Sequence, residues 1–138
     1  MTTIAWRPYE IAGDTAIFEN NTIVGHVRKI SRRGPALIGA AGIYAECQAF
    51  LKWVKGNGQG ARPKMTGETT GIVGYDTMLH VYDANGITLL RNCPYYAIGN
   101  GSDFATGAMA AGASAKEAVK IAMKHNTFTK GRVQVIYE

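Results

Sequence analysis

The hydrophobic and polar residues of the chain alternate over many short stretches, and such alternation is typical of half-buried β-strands. A run of small and apolar residues over 36–42 is too short for a helix and predicts a central, fully buried strand. Over 83–86 the sequence Asp-Ala-Asn-Gly predicts a hairpin turn, because Asn-Gly accepts the positive φ that tight turns need. The remaining strands are predicted over 2–7, 11–16, 22–24, 26–30, 75–82, 86–91, 95–99 and 132–137.

Apolar residues at helical spacing, together with capping signals, predict helices in three places. The first spans 43–55, the second spans 103–111 with Ser102 or Asp103 as its N-cap, and the third spans 114–125 and opens with a Ser-x-x-Glu capping box. This order of elements predicts an α+β fold in which helices cover antiparallel sheets. A four-layer αββα sandwich, with two sheets packed face to face and helices outside, is compatible with it.

Composition and charge narrow the classes of function. Hydrophobic residues make up 46% of the 138 residues, which is enough for the core of a single domain over 1–138. The net charge is +5, but the basic residues are scattered and do not interleave with aromatic ones, so nucleic-acid binding is not expected. Cys47 and Cys93 lack CxxC or metal-ligand spacing, which predicts reduced, buried thiols, no metal or cofactor, and a cytoplasmic location. No secretory signal and no apolar run of about 20 residues is present, so no membrane partner is expected.

The candidate chemistry lies at the start of the chain. Removal of Met1 would leave Thr2 with a hydroxyl and a free α-amine on the same residue. An α-amine titrates near pH ~8, so it can act as the base that activates the hydroxyl as a nucleophile. Thr is common after the initiator Met, and most such residues have no catalytic role. The hypothesis therefore depends on the rest of the chain.

Five short segments of the sequence support this hypothesis through their order along the chain. The first of them contains Thr2. They are Thr2-Thr3-Ile4, Ile11-Ala12-Gly13-Asp14, Gly25-His26-Val27-Arg28-Lys29-Ile30, Ile38-Gly39-Ala40-Ala41-Gly42 and Ala97-Ile98-Gly99-Asn100-Gly101-Ser102. Together they resemble the proteasome β-type N-terminal nucleophile hydrolases, and among these the bacterial HslV peptidases, over almost the full length. Each segment alone has an ordinary structural explanation, such as a turn or a solvated strand end, whereas the combination is specific.

The resemblance implies the αββα sandwich of the N-terminal nucleophile hydrolases and a set of catalytic residues. Thr2 would attack a peptide carbonyl, and Lys29 would favour ionisation of its hydroxyl and keep its amine neutral. Asp14 would hold and neutralise Lys29, and the N–H of Gly42 would face the developing oxyanion. Ala40 falls near the substrate pocket, where its small side chain argues against a charged specificity residue.

The chain departs from the family pattern around the amine of Thr2. Asn100 replaces the usual Ser, Asn126 replaces an Asp, and Thr129 keeps the hydroxyl of a Ser. All three can form supporting hydrogen bonds near the amine, although none offers a carboxylate. Relatives also carry a second helix after the first, and here only a glycine-rich loop and the segment 65–70 occupy that interval.

Three functions are compatible with the sequence. One of them, a basic nucleic-acid-binding module, rests on net charge alone, and the other two follow from the resemblance. The first of these two is a threonine endopeptidase that cleaves unfolded proteins or peptides inside a homo-oligomeric ring or stacked rings, with an ATP-dependent unfoldase as a candidate partner. The second is a catalytically inactive, structural ring-forming homologue that retains Met1. The state of Met1 distinguishes them, because a Thr2 that is still linked to Met1 has no free amine to serve as base.

Overall fold

The computed structural model describes residues 2–138, and Met1, on whose removal the catalytic hypothesis depends, lies outside the described residues. The helices in this range are α1 (Tyr44–Lys55), α2 (Ser102–Ala110) and α3 (Ala115–His125). The strands in chain order are β1 (Thr3–Arg7), β2 (Glu10–Gly13), β3 (Ala16–Glu19), β4 (Thr22–His26), β5 (Ile30–Arg33), β6 (Ala36–Ala41), β7 (Thr70–Tyr75), β8 (Met78–Asp83), β9 (Gly86–Leu90), β10 (Tyr96–Gly99) and β11 (Gln134–Tyr137). No helix within 2–138 is long and apolar enough to cross a membrane.

The strands form two main sheets and a separate hairpin, and their pairings are antiparallel. The first sheet has the order β10-β1-β2-β11 and the second the order β5-β6-β7-β8-β9, while β3 and β4 form the hairpin. Helices α2 and α3 pack on the outer side of the first sheet, and α1 packs on the outer side of the second. The predicted αββα sandwich of two antiparallel sheets flanked by helices is therefore confirmed.

Alternation of side chains along the central strands separates the layers. In β1, Ile4 and Trp6 point into the core between the sheets, and Ala5 points toward α2 and α3. In β6, Leu37 belongs to the core between the sheets and Ile38 to the layer beneath α1. These strands are apolar on both faces because both faces are covered, one by the opposite sheet and the other by a helix.

Glycines make room where large side chains of β1 cross between the sheets. A Cβ on Gly74 would overlap the indole nitrogen of Trp6, and a Cβ on Gly39 would lie 2.8 Å from a methyl carbon of Ile4. Gly74 lies in β7 and Gly39 in β6, so both belong to the second sheet. This packing fixes the position of β1, which begins directly after Thr2.

The strand predicted near 75–82 is present as β8, but it starts later than predicted and another strand precedes it. The structure has β7 before it, which ends at Tyr75, and β8 begins only at Met78. Asp76 lies in the turn between the two strands and has a φ of 57°. Glycine weakens a strand pattern because it has no side chain to pack, and β7 contains two glycines.

Two of the predicted strands are interrupted at the residues that matter for the proposed chemistry. The strand predicted over 11–16 ends at Gly13, and Asp14 lies in the break before β3. The strand predicted over 26–30 is instead the connection from β4 to β5, and Lys29 lies directly before β5. Asp14 and Lys29 thus both lie in irregular backbone at strand ends, and their side chains meet in a hydrogen bond.

The predicted N-terminal cap is confirmed for α3 and is wrong for α2. The capping box of α3 is confirmed, since the Ser114 hydroxyl accepts from the Glu117 N–H at 3.1 Å and the Glu117 carboxylate accepts from the Ser114 N–H at 3.0 Å. The predicted cap of α2 by Ser102 or Asp103 is wrong, because Gly101 is its N-cap and no side chain caps it. A Cβ on Gly101 would overlap a neighbouring threonine hydroxyl, so close packing selects glycine there.

Candidate active site

A cavity of about 520 Å³ opens beside the N-terminal strand. Thr2, Lys29, Ala40, Gly42 and Asn100 all line it, although they are far apart in the sequence. They come from the residue before β1, the residue before β5, strand β6, the turn between β6 and α1, and the turn between β10 and α2. The structure therefore brings these five sequence-predicted residues together around one cavity.

Asp14 is fully buried and is connected to this cavity through Lys29. Its Oδ2 accepts hydrogen bonds from the Lys29 ammonium and the Lys130 N–H, each at 3.1 Å, and its Oδ1 accepts one from the Thr3 N–H at 3.0 Å. A carboxylate can be buried only with such charge and hydrogen-bond partners. Asp14 thus ties together the residue after Thr2, the ammonium of Lys29 and the loop before β11.

The Lys29 side chain is itself nearly buried, with 8% of the residue exposed. Its Nζ donates to the Asp14 carboxylate and, at 2.7 Å, to the carbonyl oxygen of Ala16. Burial lowers the pKa of Lys29, because water no longer stabilises the ammonium, and the Asp14 carboxylate opposes that shift. Two acceptors therefore orient the amino group of a residue that lines the same cavity as Thr2.

Gly42 forms the turn from β6 into α1 and has a φ of 133°, a conformation that favours glycine. A Cβ at this position would overlap the carbonyl oxygen of Glu68 and lie 2.5 Å from the Cα of Thr69. The backbone angle and the close neighbours both exclude a larger residue. Because Gly42 also lines the cavity, its backbone can approach a ligand there without an intervening side chain.

Sequence reasoning missed a hydrogen-bond network behind this turn, centred on Glu46 in the first turn of α1. The Oε1 of Glu46 accepts from the Thr69 hydroxyl at 2.6 Å, from the Thr66 N–H at 3.0 Å and from the Thr66 hydroxyl at 3.1 Å. The Thr69 hydroxyl oxygen in turn accepts from the Ile43 N–H at 3.1 Å. Hydrogen bonds from the Thr66 N–H and the Thr69 hydroxyl lower the pKa of the Glu46 carboxyl, since they stabilise its charged form.

The three polar residues expected beside the Thr2 amine are connected to one another and to Thr3. The hydroxyls of Thr129 and Thr3 lie 2.6 Å apart, and the Thr129 hydroxyl donates to the Asn126 side-chain oxygen at 2.9 Å. The Asn126 amide donates to the Asn100 carbonyl oxygen at 3.3 Å. Within residues 2–138 these hydrogen bonds end on Thr3 and not on Thr2, so the structure links the three residues to the N-terminal segment indirectly.

Cys47 in α1 also lines the cavity. Burial raises the pKa of its thiol to about 11, so the thiol is protonated at neutral pH and is a poor nucleophile. Both Cys47 and Cys93 are free and buried, as the sequence predicts. Cys47 packs in the apolar cluster beneath α1, and the candidate nucleophile in the cavity is the hydroxyl of Thr2.

Solved structures of other proteins share this fold. Thiobacillus denitrificans BPH in complex with Epoxomicin is similar with a TM-score of 0.71 and 18% sequence identity, over 99% of this chain and 97% of that chain. Eukaryotic HslV from Trypanosoma brucei is similar with a TM-score of 0.70 and 16% identity, over 99% of both chains. No protein-family model matches the sequence, and no curated protein matches it either. At such low identity the likeness establishes the fold, and the chain has the proteasome β-type fold of HslV.

Proposed function

We propose that this chain is a threonine-type endopeptidase with Thr2 as its N-terminal nucleophile after removal of Met1. Residues 1–138 would act as one proteasome-like peptidase domain. The observation that carries the proposal is that Thr2 and Lys29 line one cavity while Lys29 is paired with the buried Asp14. A buried lysine that lines the same cavity as a threonine is suited to activating a nucleophile, whereas a solvated surface lysine is not.

The reaction would be acyl transfer followed by hydrolysis. The Thr2 hydroxyl oxygen forms a bond to the carbonyl carbon of the scissile peptide, and its proton passes through a water molecule to the Thr2 α-amine. When the tetrahedral intermediate collapses, the carbon–nitrogen bond breaks and the leaving amine takes that proton. A second water then attacks the ester carbon, one of its protons returns through the α-amine to the hydroxyl oxygen, and the acid product leaves. This chemistry needs neither a metal nor a cofactor.

Lys29 and Asp14 would adjust the charge at this nucleophile. The Lys29 ammonium stabilises negative charge that develops on the Thr2 oxygen, and it disfavours protonation of the α-amine, which then remains available as base. Asp14 keeps the ammonium in place by accepting its hydrogen bond at 3.1 Å. Because both groups are buried, little water screens their charges, and the effect on Thr2 is larger than at a surface.

We assign the oxyanion site to the turn at Gly42, which lines the cavity together with Thr2. A backbone N–H aimed at the developing oxyanion typically lowers the barrier by about 3 kcal/mol. Ala40 contributes a small apolar side chain to the substrate pocket beside this turn. The α-amine of Thr2 would be supported by hydrogen bonds from Asn100, Asn126 and Thr129. These three residues are hydrogen-bonded to one another and to Thr3.

We further propose that the chain assembles into a homo-oligomeric ring or stacked rings in the cytoplasm, with an ATP-dependent unfoldase as a candidate partner. An unenclosed peptidase that accepts any unfolded chain would damage other proteins, and enclosure prevents this. Similarity to the fold of HslV supports such an assembly. The substrates would then be peptides or unfolded proteins that can enter the enclosed space.

The test requires protein whose N-terminal peptide is shown by mass spectrometry to begin at Thr2. This protein should hydrolyse a fluorogenic peptide, and epoxomicin, the ligand in the Thiobacillus denitrificans BPH complex, should form an adduct on Thr2. Thr2→Ala should show neither reaction, and Thr2→Ser should keep part of both because it retains a hydroxyl and the α-amine. Absence of turnover and of adduct in the processed wild-type protein would contradict the proposal.

A second function, that of an inactive ring-forming protein that keeps Met1, is favoured by one observation. The side chain of Asn126 is occupied by Thr129 and the carbonyl of Asn100, and it offers no carboxylate to the amine of Thr2. In that case the intact mass of the protein purified from its native source would include Met1, and epoxomicin would leave the mass unchanged. Loss of Met1 together with an epoxomicin adduct would exclude the inactive alternative.

A further inference from the structure

The turn that contains Gly42 is held by a residue from outside its own helix. Ile43 is the N-cap residue of α1, and its side chain makes no capping hydrogen bond. The Ile43 N–H donates instead to the hydroxyl of Thr69, which precedes β7 in the chain. Thr69 is fully buried, so its hydroxyl takes the place of the water or capping side chain that would otherwise satisfy this N–H.

Glu46 sets the direction of that hydrogen bond. Its Oε1 lies 2.6 Å from the Thr69 hydroxyl, and a carboxylate can only accept hydrogen bonds. The Thr69 proton therefore points at Glu46, which leaves the lone pairs of the hydroxyl oxygen for the Ile43 N–H. Two further bonds from Thr66 to the same Oε1 fix the carboxylate in place. The result is a directed chain from Ile43 through Thr69 to Glu46.

We propose that Thr69 and Glu46 are positioning residues for catalysis. By holding the Ile43 N–H they fix the Gly42–Ile43 peptide and the Cα of Gly42, and through that Cα they restrict the preceding peptide, whose Gly42 N–H would face the oxyanion in the Thr2 cavity. The inference rests on the proposed peptidase function and adds two residues to it. Packing acts in the same direction, because the backbone of residues 68–69 fills the space where a side chain on Gly42 would lie. Oxyanion donors act only when preorganised, and a displacement of about 1 Å can cost ~10²-fold in rate.

Four variants with a processed N-terminus test this role. Thr69→Val removes the hydroxyl at nearly constant volume, Thr69→Ser keeps the hydroxyl, and Glu46→Gln keeps an acceptor without the charge. Thr88→Val makes the same chemical change at an exposed position of β9, outside the cavity. We expect kcat for a fluorogenic peptide to fall about 10- to 100-fold in Thr69→Val with KM nearly unchanged. Thr69→Ser should restore most of the rate, Glu46→Gln should be intermediate, and Thr88→Val should match the wild type.

A pair of inhibitors separates positioning from general distortion of the pocket. A peptide aldehyde forms a tetrahedral adduct with Thr2 whose oxygen occupies the oxyanion site, whereas the matching peptide alcohol binds without such an adduct. Thr69→Val should weaken the aldehyde by about the same factor as kcat and leave the affinity of the alcohol unchanged. Equal weakening of both inhibitors, or an unchanged kcat, would overturn the positioning role.

Thermal unfolding shows whether each variant is folded. If Thr69→Val does not fold, Glu46→Gln carries the same comparison of aldehyde with alcohol, and an unchanged ratio of the two affinities there overturns the inference. A processed wild-type protein without turnover contradicts the proposed function itself. An active wild type whose kcat survives both Thr69→Val and Glu46→Gln contradicts the positioning role and leaves the peptidase proposal intact.

Discussion

The fold has taken the ammonium of Lys29 almost entirely out of water, and the cost of doing so is offset through its bonds to Asp14 and to the Ala16 carbonyl. Such a pair is weak evidence for stability by itself, because well-packed apolar residues of similar volume often stabilise a core equally well. Lys29 also lines a cavity next to Thr2. We therefore attribute the buried charge to the chemistry proposed for Thr2.

Replacement of Lys29 by alanine should reduce both activity and stability. The kcat/KM of the processed protein should fall at least about 10²-fold, because the charge that favours the alkoxide of Thr2 is lost. Asp14 would stay buried without its counterion, so the free energy of unfolding should fall by about 3 kcal/mol. Peptide hydrolysis and urea denaturation measure the two effects. Lys116→Ala, at an exposed position of α3, should change neither, and full activity in Lys29→Ala would refute the role assigned to this residue.

The Glu46 carboxyl leads to a prediction about pH. Hydrogen bonds from Thr66 and Thr69 hold its pKa below the ordinary value of 4.5. Because the folded-state pKa lies below the unfolded-state pKa, this stabilisation is present above pH 4.5 and is lost as the pH falls through the folded value. The melting temperature should decrease on acidification below pH 4.5, and Glu46→Gln should show a smaller decrease over the same range. Identical pH profiles for the two proteins would show that the network does not stabilise the carboxylate.

At the scale of elements, the packing of β1 on β7 depends on a tryptophan that lies over a glycine. A Cβ on Gly74 would overlap the indole ring of Trp6, so Gly74→Ala should destabilise the protein by about 1–3 kcal/mol through overpacking. Gly107 in α2 is a matched control, because a Cβ there meets nothing within 4 Å. Gly107→Ala should stabilise the protein by about 0.5–1 kcal/mol, since alanine favours a helix over glycine. Urea denaturation measures both variants, and changes of the same sign would contradict this account of the sheet packing.

The sequence predicts the elements that carry local signals and misses a strand whose residues are selected by distant contacts. The third helix and the hairpin over 83–86 carry their own local signals, a capping box and an Asn-Gly turn, and both occur in the structure. Strand β7 was missed because Gly71 and Gly74 interrupt its pattern. A Cβ on Gly71 would lie 2.5 Å from the Phe50 ring, and one on Gly74 would overlap Trp6. Both glycines are required by side chains that are distant in the sequence, and local strand propensity does not report such contacts.

In the candidate site, too, the sequence suggests some residues, whereas others are found only in the structure. Thr2, Asp14, Lys29 and Gly42 lie in short segments that are ordinary one by one. The order of these segments resembles that in the proteasome β-type hydrolases, and this resemblance suggests the four residues together. The contacts of Thr66 and Thr69 with the start of α1 depend on how the preceding loop folds back, and non-local polar contacts of this kind leave no periodic pattern. One local hint exists, since a helix whose N-cap is isoleucine needs an acceptor from elsewhere.

At the scale of the whole molecule, the two outer faces of the sandwich are covered unequally. Two helices lie on the four-stranded sheet, whereas α1 lies over β5, β6 and β7 of the five-stranded sheet. Within residues 2–138 no helix covers the outer face of β9, where Ile87 and Leu89 are 56% and 38% exposed. The segment between α1 and β7 contains no helix that could cover this face. A subunit that docks on this side would therefore contact the strand face of β9.

Enclosure of the Thr2 cavity in a ring predicts selection by substrate size. A short peptide would reach the cavity by diffusion, and a tightly folded protein would be too wide to enter. The processed protein should therefore appear as a discrete oligomer in native mass spectrometry, hydrolyse a fluorogenic peptide, and leave a folded protein intact over the same time. A permanently unfolded form of that protein should be cleaved, since unfolding changes its width and not its peptide bonds. A fully active monomer that degrades the folded and unfolded forms at equal rates would show that the cavity is open to solvent, and the proposed assembly would then be wrong while the proposed chemistry at Thr2 would stand.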